Sequence, residues 1–357
     1  MDTSVESSMK LVFYLLIGTL SVYFTEVFAG SSPLWFMDPW GILMVFPLYF
    51  MHLIFFLNIA IRIKRTSVSH LYLFGVIFGL YESWITKVLW TGYPGAGAPI
   101  MGTFCGIAIL EFSVLVFFWH PIFAFVLPIL VFEVFTLPND SGGDRILPSH
   151  LTSLRKNRRL LAFLTFAILL GASFLSINTG HNVAIADLAI LGNFSIIFLL
   201  YRIARRKQNA FSISSLQLKK KGLTIVTIYL ILLYVLTFLF LVPDKTPTSP
   251  LPVLIIIGFY AFIAFLIKMS PVHETTNIEA NATEETFSTK SFFAFCLLHL
   301  LLTTIFCIVP QIGLSVAFAL NIVLYLGGPF LFACFVVRLL FRKRENTHTK
   351  KMTDSYN

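Results

Sequence analysis

Long runs of apolar residues alternate with short polar segments along most of the chain. A helix needs about 20 apolar residues to cross the hydrocarbon core of a bilayer, and in lipid it satisfies its backbone hydrogen bonds internally. The runs predicted to span the membrane are roughly 10–29, 41–63, 71–90, 101–119, 160–177, 183–201, 222–242, 251–268, 291–309 and 313–340. This pattern predicts an all-α, polytopic integral membrane protein with about ten transmembrane helices.

One further apolar run, from Pro121 to Leu137, is shorter and interrupted. It contains Pro121 and Pro128, and Pro138 follows it. Proline has no backbone N–H and breaks helices. If this run crossed the membrane in addition to the others, the basic loop after it would face the outside. We therefore expect a re-entrant or interfacial hairpin here, with a short tilted span as the alternative.

Basic residues gather at the predicted span ends. The clusters are Arg62/Lys64/Arg65, Arg155/Lys156/Arg158/Arg159, Arg202/Arg205/Arg206/Lys207, Lys219/Lys220/Lys221 and Arg342/Lys343/Arg344. Loops that carry an excess of Lys and Arg remain on the cytoplasmic side of a membrane. The distribution predicts a multi-pass protein of the cell membrane with both termini in the cytoplasm.

The composition agrees with this topology. Apolar residues make up 57% of the chain and charged residues only 12%, against roughly 25% in a soluble domain. The mean hydropathy is +0.85. The net charge of +9 is explained by the span ends, so nucleic acid is not expected as a partner. The expected partners are the lipid bilayer and a small solute or ion.

The chain divides into four predicted segments. Residues 1–137 form an N-terminal membrane bundle with a buried acidic and histidine cluster, and residues 138–159 form a basic cytoplasmic loop. Residues 160–342 form a C-terminal membrane bundle that serves mainly as scaffold, and residues 343–357 form a polar cytoplasmic tail. Most of the ionisable residues at membrane depth fall in the first segment, so the functional site is predicted there.

Glu82 is the strongest single candidate for a functional residue. Ionisable groups inside a membrane are costly, and they usually face the interior of the helix bundle. Gly75, Gly79, Glu82 and Thr86 share one face of the predicted third span. The two glycines allow another helix to approach closely. The pattern directs Glu82 toward a neighbouring helix, where it acts either in function or as a protonated packing residue.

Four other residues complete the set of substrate- or ion-binding candidates: Glu111, His52, Glu133 and His120. Glu82 and Glu111 are predicted near the centres of consecutive antiparallel spans, so we expect them to approach each other. His52 lies at a similar depth on the second predicted span. Two carboxylates in low dielectric cannot both ionise cheaply, so one of them holds a proton or both bind a cation.

These residues favour a proton- or cation-coupled transporter of a small solute that uses buried carboxylates. The alternatives are an intramembrane metal-dependent hydrolase with Glu and His ligands, and a membrane subunit without chemistry of its own. The four cysteines lie inside apolar runs without CxxC spacing, which disfavours disulfides and structural zinc. The sequence identifies no cofactor, and it leaves enzymatic activity undecided.

Overall fold

The protein is helical over nearly all of the chain that can be described. A computed structural model describes residues 3–93, 97–136, 147–206, 211–271 and 286–354. In these ranges nine helices are long and apolar enough to cross a membrane. Their bounds are Met9–Val27, Gly41–Arg62, Ile109–Thr136, Arg158–Asn178, Val183–Arg205, Lys220–Phe240, Pro250–Met269, Thr289–Ile308 and Pro310–Leu340. The predicted all-α architecture with about ten spans is confirmed.

The bounds of the individual helices in the described ranges are as follows, in chain order. They are α1 (Thr3–Val22), α2 (Phe46–Arg62), α3 (Val68–Gly79), α4 (Tyr81–Trp84), α5 (Val88–Thr91), α6 (Ile109–Val114), α7 (Leu127–Thr136), α8 (Pro148–Leu154), α9 (Arg158–Asn178), α10 (Val183–Arg205), α11 (Lys220–Phe240), α12 (Pro250–Met269), α13 (Thr289–Ile308) and α14 (Pro310–Asp354). π-Helical segments occupy Tyr23–Val27, Gly41–Val45 and Leu115–Val126. Strands β1 (Thr103–Phe104) and β2 (Ile107–Ala108) pair antiparallel.

The hairpin predicted at 121–137 is wrong. α6, the π-helical segment and α7 instead form one helical run of 28 residues, Ile109–Thr136. Pro121 lies in the π-helical part, where it deprives the preceding turn of one backbone donor. The Tyr72 hydroxyl adds a donor in that turn, to the Phe117 carbonyl oxygen at 2.6 Å. The helix therefore continues through a residue that usually ends one.

The third predicted span, at 71–90, is broken into α3, α4 and α5. Leu80 separates the first two helices, and three residues separate the second from the third. Lys87 adopts a left-handed backbone conformation with φ of +62°, which is uncommon for a residue with a side chain. This run is not among the nine continuous helices, yet most of it is buried.

The chain forms two compact units, each assembled from separated segments. The first comprises Met1–Asn58, Phe123–Thr224 and Thr275–Val323. In this unit α13 packs against α9 and α10, and α1 packs against α10 and α7. Its core is rich in aromatic rings: the Phe28 ring lies 5.6 Å from that of Phe123, measured between centroids.

The second unit comprises Ile59–Ile122, Ile225–Glu274 and Leu324–Asn357. It contains the broken run α3–α5, which packs through α3 on α12 and through α5 on β2 and α6. The short strands follow the loop after α5 and lead directly into α6. The second unit thus holds Glu82, His120 and Glu111 within one packed set of helices.

Candidate functional site

Glu82 lies on the short helix α4, directly after the break that ends α3. The residue is buried, with 7% of its surface exposed. The hydroxyl of Thr86, one turn further along, lies within hydrogen-bonding distance of the Glu82 carboxylate and 2.9 Å from the Glu82 carbonyl oxygen. The inward orientation that the sequence predicts for Glu82 is therefore confirmed.

Gly79 brings α3 against the π-helical segment that carries His120. A Cβ at this position would lie 3.1 Å from the Leu115 carbonyl oxygen and 3.2 Å from the His120 Cβ. Both separations are shorter than ordinary van der Waals contact, so a larger residue would push the two segments apart. The close approach expected at this glycine is confirmed, and it places α4 beside His120.

The imidazole of His120 is held at both of its nitrogens. Its Nδ1 lies 3.0 Å from the Leu115 carbonyl oxygen. Its Nε2 lies 3.0 Å from the Tyr81 hydroxyl and 3.3 Å from Oε1 of Glu82. A carbonyl oxygen can only accept a hydrogen bond, so Nδ1 carries a hydrogen. Nε2 is left as the nitrogen that faces the Tyr81 hydroxyl and the Glu82 carboxylate.

Glu82 and His120 can therefore hold one proton between them in two arrangements. In one, a neutral Glu82 carboxyl group donates to the bare Nε2 of His120. In the other, a protonated imidazole donates to the Glu82 carboxylate. The Tyr81 and Thr86 hydroxyls adapt to either arrangement, because a hydroxyl both donates and accepts. The site has the chemistry of a proton donor and acceptor pair enclosed by protein.

Glu111 lies at the start of α6 in the same unit. The residue is fully buried, and its Oε1 accepts a hydrogen bond from the Ile100 amide at 3.1 Å. Burial, followed by the charges of Glu111 and Glu82, raises the pKa of the Tyr93 hydroxyl well above its usual value. Tyr93 lies in the loop after α5, and its position in the sequence gave no indication of this electrostatic influence.

Three buried polar atoms near this site lack a hydrogen-bond partner among the described residues. They are Oε2 of Glu111, Nε1 of Trp90 and Oγ of Ser83. They belong to α6, α5 and α4, and α5 packs against both of the other helices. An unsatisfied buried polar atom costs roughly 1–3 kcal/mol. Their occurrence on adjoining elements is typical of a site that binds a polar ligand or water.

Lys87 is fully buried but does not pair with Glu82. Its Nζ donates to the Thr237 carbonyl oxygen at 3.1 Å and to that of Leu241, at the end of α11. It also lies 5.7 Å from the centre of the Phe238 ring. Carbonyl oxygens at a helix C-terminus carry partial negative charge, which stabilises the ammonium group. Lys87 therefore links the segment between α4 and α5 to the C-terminal end of α11 through these hydrogen bonds.

The other two candidates, His52 and Glu133, belong to the first unit. Nδ1 of His52 lies 2.7 Å from the Leu48 carbonyl oxygen, one turn earlier on α2. Oε2 of Glu133 lies 2.5 Å from Nδ1 of His150 on α8, and both side chains are fully buried. Three of the five sequence candidates thus share a unit, while Glu133 has a histidine partner of its own. His150 lies in the predicted basic loop and was not a candidate.

The described parts of the chain contain no group of three or more His, Cys, Asp or Glu side chains arranged to hold a metal ion.

Tyr81 was also missed by sequence reasoning, although it adjoins Glu82. Its position before the glutamate gave no signal, because only the bend between α3 and α4 brings its hydroxyl to His120.

Comparison with known proteins identifies the family. Residues 15–345 match a family described as an uncharacterized membrane protein family. The chain belongs to this family. A protein of Archaeoglobus fulgidus, described as an uncharacterized protein, is 32% identical over 343 residues, which cover 94% of this chain and 100% of the relative. No solved structure matches the chain. Together with the nine long apolar helices, the family establishes a multi-pass membrane protein.

Proposed function

We propose that this protein is a proton-coupled transporter of a small solute and that the Glu82–His120 pair carries the proton. The observation that supports this proposal is the pair itself. The hydrogen on Nδ1 of His120 is fixed by the Leu115 carbonyl oxygen, which leaves Nε2 and the Glu82 carboxylate to share a proton at 3.3 Å. Buried ionisable residues in membrane segments commonly form proton relays in transporters.

The broken run α3–α5 supports transport over a static role. Discontinuous helices build the substrate and ion sites of many transporters, because their ends can rearrange around a fixed site. Glu82 lies on the short middle helix of this run, and the Thr86 hydroxyl that contacts it lies in the following break. Proton transfer between Glu82 and His120 changes whether the Tyr81 and Thr86 hydroxyls donate or accept a hydrogen bond. Because Thr86 lies in the break between α4 and α5, the transfer alters a hydrogen bond of that break.

The solute would contact the polar atoms left without partners. Oε2 of Glu111 requires a hydrogen-bond donor, whereas Nε1 of Trp90 requires an acceptor. A small solute that carries both a donor and an acceptor satisfies both atoms. The metal-dependent hydrolase has no such support, because the described residues provide no cluster of three ligands.

We also propose that the protein lies in the cell membrane with both termini in the cytoplasm. If the nine long helices and the broken run each cross once, all five basic clusters fall on the same side. Because Ile109–Thr136 is one continuous helix, residues 121–137 add no crossing of their own. The basic loop that follows then stays on the cytoplasmic side without a hairpin. Basic loops on one side are the expected arrangement for the cytoplasmic face.

The transport proposal is tested in proteoliposomes that contain a trapped pH-sensitive dye. A panel of amino acids, sugars, nucleosides and inorganic cations is added outside, and solute-dependent proton movement is recorded for the wild type, Glu82→Gln and Glu26→Gln. Glu26 is the matched control, because its carboxylate also accepts two hydroxyl hydrogen bonds, from Ser31 and Tyr49, but lies in the first unit. We expect proton movement with the wild type and the control, and none with Glu82→Gln.

A measurement without solute tests the proton pair directly. Infrared difference spectra recorded while the pH is changed should show the carbonyl band of a protonated carboxylic acid, and Glu82→Gln should remove that band. Proton movement by Glu82→Gln equal to that of the wild type would contradict the assigned role. So would an infrared spectrum that Glu82→Gln leaves unchanged.

A further inference from the structure

The first unit contains an apolar cavity of about 240 Å³ beside the first half of α7. Its walls come from α7, from α8 and from the first two turns of α9. Its lining includes Leu127 and Val131 on α7, Leu154 on α8, and Leu160 and Leu164 on α9. Nearly all of the lining is hydrocarbon, which favours an apolar occupant over water.

Hydrogen bonds hold α8 in place. This short helix forms one wall of the cavity and is not one of the candidate membrane spans. His150 on α8 contacts the buried carboxylate of Glu133 on α7 at 2.5 Å. The Phe287 amide donates to the Leu154 carbonyl oxygen at 2.8 Å, and the Phe287 side chain also lines the cavity. The cavity is therefore bounded by anchored segments on more than one side.

The rim of the cavity is basic. Arg159 lines it, and Arg158 precedes Arg159 on an exposed turn of α9. The N-terminus of this 21-residue helix also lies here, capped by the side chain of Asn157, and a helix N-terminus carries partial positive charge. An anionic group at the rim would meet both sources of positive charge, with the guanidinium suited to bind phosphate oxygens in pairs.

We propose that this cavity binds an anionic lipid of the surrounding bilayer. The hydrocarbon tail lies between α7 and α9, and the phosphate of the headgroup lies against Arg159 and Arg158. A lipid is favoured over a soluble anion because the apolar lining comes mainly from two candidate membrane spans, Ile109–Thr136 and Arg158–Asn178. Basic pockets between spans on the cytoplasmic side bind anionic headgroups in other membrane proteins.

The headgroup contact is tested by native mass spectrometry of protein extracted from nanodiscs. The nanodiscs contain equal amounts of phosphatidylglycerol and phosphatidylcholine with identical chains. We expect the wild type to retain phosphatidylglycerol several-fold more than phosphatidylcholine, and Arg159→Gln to lose most of that preference. Arg205→Gln is the matched control, because Arg205 is also exposed near a helix end but does not line the cavity; it should behave as the wild type.

The tail contact is tested by filling the cavity. Ser153 lines it, whereas the neighbouring Thr152 is exposed and does not. Ser153→Trp is expected to lower retention of both lipids, while Thr152→Trp leaves retention unchanged. Retention of the two lipids in proportion to their supply by the wild type would overturn the proposal. Equal loss of phosphatidylglycerol by Arg159→Gln and Arg205→Gln would overturn it as well.

Discussion

Replacing one member of the buried pair Glu133–His150 is expected to destabilise the protein strongly. The two side chains are fully buried and lie 2.5 Å apart. Glu133 also accepts a hydrogen bond from the Leu147 amide at 3.4 Å. Glu133→Leu would leave the imidazole without the carboxylate, and His150→Leu would leave the carboxylate without the imidazole. In both cases a polar group remains buried after its partner is removed.

The magnitude follows from the cost of an unpaired buried group. Removing one partner of a buried ion pair costs about 3–5 kcal/mol, whereas replacing both by apolar residues is often close to neutral. We therefore expect each single substitution to lower the free energy of unfolding by about 3–5 kcal/mol. The double substitution should cost less than either single one, because it leaves neither group unpaired.

The assay is unfolding in mixed detergent micelles, followed by circular dichroism for the wild type, the two single variants and the double variant. Thr152→Leu serves as the control on α8, since Thr152 is exposed and such changes remain within about 0.5 kcal/mol. If the two single effects added in the double variant, the side chains would act independently, and the paired role argued for α8 would be wrong.

Three further predictions concern the helix through Pro121, the close approach at Gly79 and the topology. Tyr72→Phe removes the hydroxyl donor of the part-buried Phe117 carbonyl oxygen and should cost about 0.5–1.5 kcal/mol in the same unfolding assay; no change would show that this hydrogen bond does not stabilise the helix. Gly79→Val should abolish the infrared signal of the proton pair while Gly258→Val, where a Cβ meets nothing within 4 Å, preserves it; an unchanged signal in Gly79→Val would contradict the packing argument. An impermeant maleimide should label the exposed native Cys105 of the wild type in intact cells. It should not label Thr152→Cys in a variant without the native cysteines, and external labelling of that variant would reverse the topology.

The sequence predicted the positions of most spans because apolar length alone determines them. It also predicted that Glu82 is buried, from a face shared with Gly79 on a continuous helix. The structure breaks that helix at Leu80, so the two residues lie on α3 and α4, yet Glu82 is buried. It failed at Pro121, where proline in an apolar run was interpreted as a break. The helix continues through Pro121 in a π-helical segment, and the hydroxyl that bonds to the turn before Pro121 belongs to Tyr72, 45 residues before its acceptor Phe117. No local pattern reveals either feature.

The partner of each acid was beyond the reach of sequence reasoning for a similar reason. Pairing Glu82 with His120 depends on the rotation of the Ile109–Thr136 helix, and the π-helical segment changes that rotation relative to an α-helix. Pairing Glu133 with His150 depends on where α8 lies against α7. Depth in the membrane, which hydropathy does provide, was insufficient to distinguish these partners from His52.

The two glutamate–histidine pairs consist of the same groups but differ in what surrounds them, and this difference supports the assignment of proton carriage to one of them. The neighbours of Glu133 include the Leu147 amide, which can only donate and keeps the same direction in both protonation states. The Glu82–His120 pair has the hydroxyls of Tyr81 and Thr86 as neighbours. These groups can reverse their hydrogen bonds when the proton moves, without any change in the backbone. We therefore propose the Glu82–His120 pair as the proton carrier and assign to the Glu133–His150 pair the role of holding α8 in place.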